Sequence, residues 1–537
     1  MILQGKRVAL PSAPVVHKRF EEHVAAAPDA VAVFWAGRQL TYAELDAKAN
    51  RFAHFLAARG HGRGAKVGVC LDYSIDMLVA ILGTLKAGAA YVPFDPAYPA
   101  ARLGLLLGQV PDLALIVASP ATAGMVESAD ADVIDLEQLA DELAALPATA
   151  PDVTVTGDDI CYAVFTSGST GTPKLTAVRH EGWFNLMNWL TIEYGLHRGS
   201  NHLVVSAFGF DLSQRSLMTP LFCGATQNLM ASRNFDAMMA YRMLTERDVR
   251  VVHCASSTLY LLVDWEAARG GDALTRLDYV LFGGEALKAE RLTRWASREG
   301  NTCTLLHQYG VAECTDVATS YDLGAYRPGE QDVPPVGKPA YNTDIHLLDE
   351  DLNGVAAGEQ GEICIAGASV GAGYLNNGPE NAKFTTIEVD GAPLRVYRTG
   401  DRGHVTEAGE LIVLGRIDSQ VKVRGMRIDP TDIERALARL AGVREAAVAI
   451  TYTDSGDAEL IAFIVRADDE PTAAEPTADG RAVDALRTGL LETLPRNMVP
   501  ATFVNVPRLP LSPHGKVDRV ALVDAYRKQH ANSGIAA

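Results

Sequence analysis

A run of small and hydroxylated residues that ends in proline and lysine is the stretch best suited to chemistry. It extends from Phe165 to Lys174 and reads Phe-Thr-Ser-Gly-Ser-Thr-Gly-Thr-Pro-Lys. Gly168 and Gly171 have no Cβ and allow positive φ, so the main chain can approach a ligand closely. Several backbone N–H groups can then point at one anion, and the hydroxyls add further donors. Because Lys174 supplies a positive charge, the pattern predicts a phosphate-binding loop.

The spacing within this loop differs from G-x-x-x-x-G-K-[ST], so the loop is not a Walker A motif. A flexible Gly/Ser linker is the alternative interpretation. The Pro173-Lys174 pair and the apolar, strand-like residues before the loop favour a binding loop. The residues predicted to line the phosphates are Thr166, Ser167, Gly168, Ser169, Thr170 and Gly171.

Length and composition narrow the class of protein. The chain has 537 residues, which predicts two or more domains, and 48% of them are hydrophobic, which favours a large core over disorder. A net charge of −18, from 48 basic and 66 acidic residues, argues against non-specific nucleic-acid binding. No apolar run is long enough to span a membrane, and the N-terminus resembles neither a signal nor an anchor. The 7 cysteines lack a C-x-x-C pair, which is typical of reduced thiols in a cytoplasmic protein.

Alternation of strand-like and helix-like segments predicts an α/β fold with doubly wound parallel sheets in a large N-terminal domain, residues 1–417. A helix is expected to begin after Thr41, where Glu44 completes a capping box. Short strands dominate beyond residues 334–339, which indicates a β-rich subdomain at the end of this domain. Residues 418–537 are predicted to form a small α+β C-terminal domain that is hinged to the large one.

The phosphate-binding loop resembles that of the adenylate-forming superfamily, which includes acyl-CoA synthetases, firefly-type luciferases and adenylation domains of non-ribosomal peptide synthetases. The resemblance covers nearly the whole chain, in the family's order. Leu40–Leu45 and Leu85–Asp95 match two motifs of the peptide-synthetase branch. The sequence ends shortly after Lys516 without a carrier or condensation motif, so we expect a stand-alone adenylation enzyme, or an excised domain, that loads a separate phosphopantetheinylated carrier protein.

The resemblance implies a nucleotide site for ATP and Mg²⁺. Tyr309 would stack on adenine, Asp401 would accept from the ribose hydroxyls, Arg416 would reach ribose or phosphate, and Glu313 would hold the metal. The chain departs from the family's Asn-x-Tyr-Gly-Pro-Thr-Glu pattern, and the Thr hydroxyl missing at Ala312 would remove about 1 kcal/mol of hydrogen bonding. The other residues assigned to this site are Gly284, Glu285, Ala286 and His307.

The resemblance also assigns a catalytic lysine, Lys516, in a tight turn near the C-terminus. A carboxylate that attacks the α-phosphorus of ATP meets a like charge, which costs roughly 4 kcal/mol at ~4 Å and an effective dielectric of 20. Lys516, Lys174 and Mg²⁺ on Glu313 would offset this repulsion. Asp418 matches the family's hinge, and Lys422 lies on the face expected to meet the carrier thiol after rotation.

The substrate pocket is expected to open at Phe210-Asp211-Leu212-Ser213. Asp211 stands where amino-acid-activating members of the family place the carboxylate that pairs with the substrate ammonium. Burial of Arg215 requires a partner. Two interpretations stay open, a polar or acidic substrate side chain and an internal pair with Asp316. The pocket residues implied by the resemblance are Asp211, Leu212, Arg215, Ser257, Leu281, Gly283, Gln308, Asp316 and Val317.

The sequence therefore predicts ATP-dependent activation of an amino acid, with a polar side chain favoured. Two alternatives remain at this stage. One is an acyl-CoA or aminoacyl-CoA ligase of the same superfamily, and the other is a non-catalytic nucleotide-binding interaction protein. The resemblance also allows a small MbtH-like activating partner, whereas no nucleic acid or membrane is expected as a partner.

Overall fold

The computed structural model divides the chain into two compact units. The first comprises Met1–Pro96, Leu107–Thr166 and Lys174–Asp418, and the second comprises Ala97–Leu106, Ser167–Pro173 and Ser419–Ala537. The structure describes residues 1–127, 129–167, 172–326, 333–376, 378–417, 420–423, 425–453, 458–467, 475–476, 480–510 and 517–532. None of the helices in these ranges combines the length and apolar character that crossing a bilayer requires.

Two sheets with parallel centres form the main body of the first unit. In spatial order, the described strands of one sheet are Gly373–Tyr374, Lys174–Arg179, Ile160–Thr166, Ala90–Pro93, Lys66–Cys70, Leu113–Ala118 and Asp132–Ile134. Those of the other sheet are Lys338–Pro339, Thr319–Asp322, Thr304–Tyr309, Tyr279–Gly283, Val251–Ala255, His202–Val204, Gln227–Leu229, Val31–Trp35 and Arg38–Thr41. Antiparallel pairing occurs at the ends of these sheets, for example between Thr304–Tyr309 and Thr319–Asp322.

Helices connect the parallel strands, as the alternating pattern predicted. Those of the first unit are Val16–Ala26, Tyr42–Ala58, Ile75–Lys86, Ala140–Ala144, His180–Glu193, Asp211–Cys223, Ala237–Glu246, Ser256–Arg269 and Ala289–Ala296, and Ala100–Leu107 belongs almost entirely to the second. The side chain of Thr41 accepts from the Glu44 N–H, and Glu44 closes the predicted capping box. The largest core cluster contains the fully buried Trp183 and apolar residues from both sheets. This packing holds the strand ends in fixed positions.

An antiparallel sheet completes the first unit and corresponds to the predicted β-rich subdomain. Its described strands are Ile2–Gln4, Thr343–Leu348, Gly361–Gly367, Phe384–Val389, Ala392–Val405 and Leu411–Arg416. The register pairs Asp401 with Arg416, so these two residues face each other across neighbouring strands. All seven cysteines lie in the described part of the chain and carry free thiols, as predicted.

The second unit is an α+β structure, as predicted for the C-terminal part. Among its described residues, one sheet contains Val443–Tyr452, Ala458–Arg466, Thr502–Asn505 and Glu475–Pro476, and a hairpin contains Val421–Val423 and Met426–Ile428. Its later helices are Pro430–Ala438, Gly480–Leu491 and Arg519–Asn532. Asp429 caps the first of these by accepting from the Thr431 N–H, with Pro430 at the first helical position, where proline is favoured.

Candidate functional site

Most of the predicted site residues in the first unit lie at or just beyond the carboxyl ends of parallel strands. Thr166, Gly283 and Tyr309 are the last residues of their strands. Ser257 lies in the first turn of the helix that follows Val251–Ala255. In open α/β sheets the crevice outside the carboxyl ends of the strands is the usual ligand site. The fold therefore brings residues from distant parts of the sequence to the carboxyl ends of strands in both sheets.

The residues predicted to bind adenine and ribose form a hydrogen-bonded group, called here the nucleotide cluster and consisting of Tyr309, Asp401 and Arg416. The Tyr309 hydroxyl donates to Oδ2 of Asp401 at 2.7 Å, and Nη1 of Arg416 donates to Oδ1 at 2.7 Å. Arg416 Nη2 also donates to the Thr399 carbonyl at 3.1 Å. Because Asp401 is almost fully buried, two donors hold its carboxylate in one orientation. The cluster thus places an aromatic ring beside a carboxylate acceptor.

The predicted metal carboxylate, Glu313, lies in a short 3-10 helix, Ala312–Cys314, and is fully buried. The Tyr374 hydroxyl donates to its Oε1 at 2.7 Å and lies 3.1 Å from the Tyr397 hydroxyl. Within the described ranges, no group of three or more His, Cys, Asp or Glu side chains could hold a metal ion. A single carboxylate fits Mg²⁺, which binds proteins through one or two carboxylates and otherwise through water and phosphate oxygens.

Lys174 is the first residue of the strand Lys174–Arg179, which follows the predicted phosphate-binding loop, and its side chain lies near Tyr374. Its side chain is fully buried, its Nζ lies 3.6 Å from Oε2 of Glu380, and the centroid of the Tyr374 ring is 4.9 Å away. Thr166, at the end of the preceding strand, has its hydroxyl 3.3 Å from that of Thr176. Tyr374 therefore contacts both the predicted phosphate lysine and the predicted metal carboxylate.

The remaining nucleotide residues of the first unit lie at the neighbouring strand ends. Gly284 has φ 85°, a conformation that favours glycine. The Glu285 carboxylate accepts from the Ser257 N–H at 2.9 Å and so satisfies a donor in the first turn of that helix. Nδ1 of His307 lies 3.0 Å from the Pro335 carbonyl oxygen, which fixes the ring that replaces the family's asparagine. Ala286 follows directly in the same segment.

Asp211 is the first residue of the helix Asp211–Cys223 and is half-buried. Its Oδ1 accepts from the Leu212 N–H at 2.8 Å. Burial, followed by repulsion from Asp316, raises the pKa of Asp211 to about 7. A cation in contact with this carboxylate would favour its ionised form. The site is therefore suited to binding an ammonium group.

Arg215 lies one turn further along the helix, and its guanidinium is bonded on two sides. Nε donates to Oδ2 of Asp316 at 2.5 Å, and Nη1 lies 2.6 Å from Oε1 of Gln308 and 3.0 Å from Nδ1 of His253. The internal pair with Asp316, one of the two interpretations from the sequence, is thus present. His253 was not among the predicted pocket residues.

The segment that carries Asp316 has an unusual backbone. Thr315 and Asp316 have φ of 59° and 69°, so two consecutive non-glycine residues occupy the left-handed region. Such conformations cost about 1–3 kcal/mol each and persist where surrounding contacts impose them. The Thr315 hydroxyl donates to the Ser369 carbonyl at 2.7 Å, and a Cβ on Gly310 would lie 1.9 Å from the Asp316 carbonyl oxygen. The backbone therefore aims Asp316 at Arg215 at a conformational cost.

Apolar and small residues complete the predicted pocket set. Leu281 and Val317 are buried in the largest core cluster, and Leu212 is half-buried. Gly283 pairs with Gln308 across the sheet, where a Cβ would lie 2.1 Å from the Gln308 carbonyl oxygen. Ser167 and Lys422 belong to the second unit. Gly168, Ser169, Thr170, Gly171, Asp418 and Lys516 lie outside the described residues, so their roles stay predictions.

Tyr374 and His253 contact the site residues but were missed by the sequence analysis. Tyr374 lies in a two-residue strand, and His253 lies within an apolar strand, so neither belongs to a motif. A buried lone histidine or tyrosine is more often a core residue than a functional one. A weak signal was available for His253, since a polar residue inside a fully buried strand requires a partner.

Comparisons with known proteins identify relatives of the chain. The family model for AMP-binding enzymes matches residues 20–375. One component of the linear gramicidin synthase of Brevibacillus parabrevis is 35% identical over 534 residues, which are 98% of this chain and 6% of the relative. One component of the plipastatin synthase of Bacillus subtilis (strain 168) is 35% identical over 514 residues, or 95% of this chain and 19% of the relative. The chain thus spans a small part of these relatives.

Solved structures show the same fold. Holo-PA1221, a non-ribosomal peptide synthetase protein containing adenylation and PCP domains, superposes with a TM-score of 0.79 at 28% identity, covering 95% of this chain and 84% of that one. The amide bond synthetase McbA from Marinactinospora thermotolerans has a TM-score of 0.82 at 22% identity, covering 95% and 99%. The chain belongs to the AMP-binding enzyme family of the adenylate-forming superfamily, and its relatives are adenylation domains of non-ribosomal peptide synthetases.

Proposed function

We propose that the chain activates an amino acid with ATP, releases pyrophosphate, and transfers the aminoacyl group to the phosphopantetheine thiol of a separate carrier protein. The observation that carries the proposal is the nucleotide cluster, in which Tyr309 and Arg416 both bind the Asp401 carboxylate. An acceptor for ribose beside an aromatic surface for adenine suits a nucleoside ligand. The half-buried carboxyl of Asp211 supports an ammonium-bearing substrate over a fatty acid or aryl acid, because an ammonium would compensate its charge.

In the first half-reaction, a substrate carboxylate oxygen bonds to the α-phosphorus as the bond to the pyrophosphate oxygen breaks. Asp211 would hold the substrate ammonium, so that the carboxylate is oriented before attack. Lys174 contributes a buried positive charge near Glu313, through the shared contact with Tyr374. Magnesium, when bound through Glu313 and phosphate oxygens, supplies charge that stabilises the transition state. Lys516 is assigned the same electrostatic role from the sequence alone.

In the second half-reaction, a thiol sulfur bonds to the acyl carbon, and AMP leaves. The similarity to solved proteins that contain adenylation and PCP domains supports a carrier protein as the thiol donor. The proposal includes an MbtH-like protein as an activating partner. This protein is therefore added to the assay. Replacing the carrier by free CoA distinguishes this function from that of a CoA ligase.

The test is ATP–pyrophosphate exchange with proteinogenic and β-amino acids, with and without an MbtH-like protein. We expect exchange that depends on one amino acid or a few related ones. Lys516→Ala should lower the rate by roughly a hundredfold or more, as expected for loss of an electrostatic donor at the transition state. Exchange that requires an aryl or fatty acid, or that is unchanged by Lys516→Ala, would contradict the proposal.

A further inference from the structure

The hydrogen bonds of Arg215 leave one of its nitrogens unused. Nε pairs with Asp316, and Nη1 is shared by His253 and Gln308. Nη2 makes no hydrogen bond with any residue that the structure describes, although the side chain is only 3% exposed. A guanidinium has five donors and no acceptor. Since buried donors without partners are costly, an acceptor is expected at Nη2 when the pocket is filled.

Gln308, which accepts from Arg215, also carries a donor without a partner. Its Oε1 accepts from Arg215, which fixes the orientation of the amide and turns Nε2 away from that bond. Nε2 is buried and has no hydrogen-bond partner in the described part of the chain. Arg215 and Gln308 thus form a pair of donors without a matching acceptor. An oxygen atom of a ligand could accept from Nη2 of Arg215.

The charges of the pocket decide what kind of oxygen it can be. Arg215 offsets Asp316, and Asp211 would offset the substrate ammonium. Burial lowers the pKa of both His253 and His202, so these rings are neutral. A side-chain carboxylate would add a negative charge near Asp211 and Asp316 without a further cation, and a side-chain ammonium would meet the guanidinium. A neutral carbonyl oxygen satisfies the donors without changing the charge.

His253 determines how the guanidinium is held. Arg215 can only donate, so Nδ1 of His253 accepts, and its Nε2–H donates to Nδ1 of His202 at 3.2 Å. The two rings are stacked, with centroids 5.2 Å apart. His253 also pairs in register with Leu281, a predicted pocket residue on the next strand. A neutral imidazole therefore occupies a donor of Nη1 and leaves Nη2 for the substrate.

We propose that this pocket selects an amino acid whose side chain ends in a neutral carbonyl acceptor, as an amide or a ureido group does, and that His253 is the positioning residue that holds Arg215 for it. The inference rests on the proposed function, because it names the substrate class of the same site. It also reconciles the two interpretations of Arg215, since one edge of the guanidinium pairs internally while the other faces the substrate.

The first experiment compares kcat/KM in exchange assays for glutamine, asparagine and citrulline with those for glutamate, aspartate, lysine, leucine and methionine. We expect an amide or ureido amino acid to exceed its carboxylate and apolar counterparts by about a hundredfold or more, since a site built to bond a polar group rejects an analogue that lacks it. A preference for leucine, glutamate or lysine would overturn the inference and leave the proposed function standing.

The second experiment tests His253. His253→Leu removes the acceptor of Nη1, and we expect KM for the preferred amino acid to rise about tenfold or more, with kcat and KM for ATP changed less than twofold. His253→Asn keeps an oxygen near the position of Nδ1 and should restore most of the affinity. His346→Leu, which replaces a buried histidine of the antiparallel sheet, is the control. If His253→Leu raises KM for the amino acid and KM for ATP equally, His253 has a structural role only.

A binding measurement separates failure of the inference from failure of the proposed function. Sulfamoyl-adenosine analogues of glutaminyl, glutamyl and leucyl adenylates are added, and the Tm of the protein is measured. Stabilisation by the glutaminyl analogue above the other two supports the inference even if exchange is slow. Stronger stabilisation by another analogue overturns the inference. Absence of exchange and of stabilisation with every amino acid overturns both proposals.

Discussion

At the scale of one residue, burial changes the pKa of the Asp211 carboxyl in a way that affects how it binds a ligand. Its carboxyl ordinarily titrates near 3.8, and burial together with repulsion from Asp316 raises the pKa to about 7. Near neutral pH, the free protein therefore carries this group partly protonated. Binding of an ammonium would favour the ionised form and release a proton. The same desolvation that destabilises the free carboxylate strengthens its interaction with a buried cation.

This pKa predicts the pH dependence of substrate binding. We expect KM for the amino acid to fall about tenfold per pH unit as pH rises towards 7, and to level off above it, because the ionised form binds ammonium. Exchange kinetics from pH 5.5 to 8.5 measure this profile. Asp211→Asn should give a high KM that does not change with pH. A wild-type KM that is flat across pH 7 would contradict the prediction.

Ionisation of Asp211, which favours substrate binding, lowers the stability of the folded protein. Its pKa in the folded protein exceeds that of the unfolded chain, so stability is lost as pH rises from about 4 through 7. Asp211→Asn should therefore raise Tm relative to wild type at pH 8, and this difference should shrink as pH approaches 4. Thermal unfolding at several pH values serves as the control that the variant is folded.

At the scale of elements, the short strand Gly373–Tyr374 has a larger role than its length suggests. It pairs with Lys174–Arg179, so that the Tyr374 ring lies over Lys174 and its hydroxyl reaches Glu313. Residues from three elements are thereby held together at the edge of one sheet. Groups that orient a metal ligand typically change metal affinity by 10–100-fold when they are removed.

Tyr374→Phe isolates the contribution of that hydroxyl. The ring over Lys174 is kept while the hydrogen bond to Glu313 is lost, and we expect the apparent affinity for Mg²⁺ to fall by about tenfold. Exchange rates are titrated with Mg²⁺ at fixed ATP. Tyr341→Phe is the matched control, because Tyr341 makes a comparable bond of 2.8 Å to Glu193, which is not a predicted metal ligand. Equal Mg²⁺ profiles for both variants would refute the positioning role of Tyr374.

At the scale of the whole molecule, the two half-reactions are assigned to different lysines of the C-terminal part. Lys516 is assigned to adenylation and Lys422, in the strand Val421–Val423, to the face that meets the carrier thiol. The family resemblance also predicts a hinge at Asp418 that would allow both lysines to act. The assignments come from motif positions, so they call for an experiment that separates the two steps.

Lys422→Glu and Lys516→Ala should each impair a different step of the reaction. We expect Lys422→Glu to slow loading of the carrier by about tenfold or more while exchange changes less than twofold, because reversed charge disturbs the carrier encounter but not adenylation. Lys516→Ala should mainly impair exchange. Single-turnover transfer from preformed adenylate measures loading. The control is Lys528→Glu, which reverses an exposed charge on the helix Arg519–Asn532. If Lys422→Glu loads the carrier as fast as this control, the role of Lys422 is excluded.

Local patterns alone determined much of the fold. The capping box at Thr41 and Glu44 and the alternation of strands with helices are confirmed by the structure. These features depend on neighbours in the sequence, because caps and apolar periodicity act over a few residues. The family resemblance added the ordered motifs, which is why Asp401, Arg416 and Tyr309 could be named as one site.

Tertiary structure decided which side chains are bonded to each other. Arg215 and Asp316 are 101 positions apart, and Tyr309 and Asp401 are 92 apart, so only the packing of separate elements against each other brings them together. No sequence pattern showed that Gln308 and His253 share the Arg215 guanidinium, or that Tyr374 joins Lys174 to Glu313. Whether a buried polar group is satisfied depends on donors and acceptors from other strands, and local sequence does not contain that information.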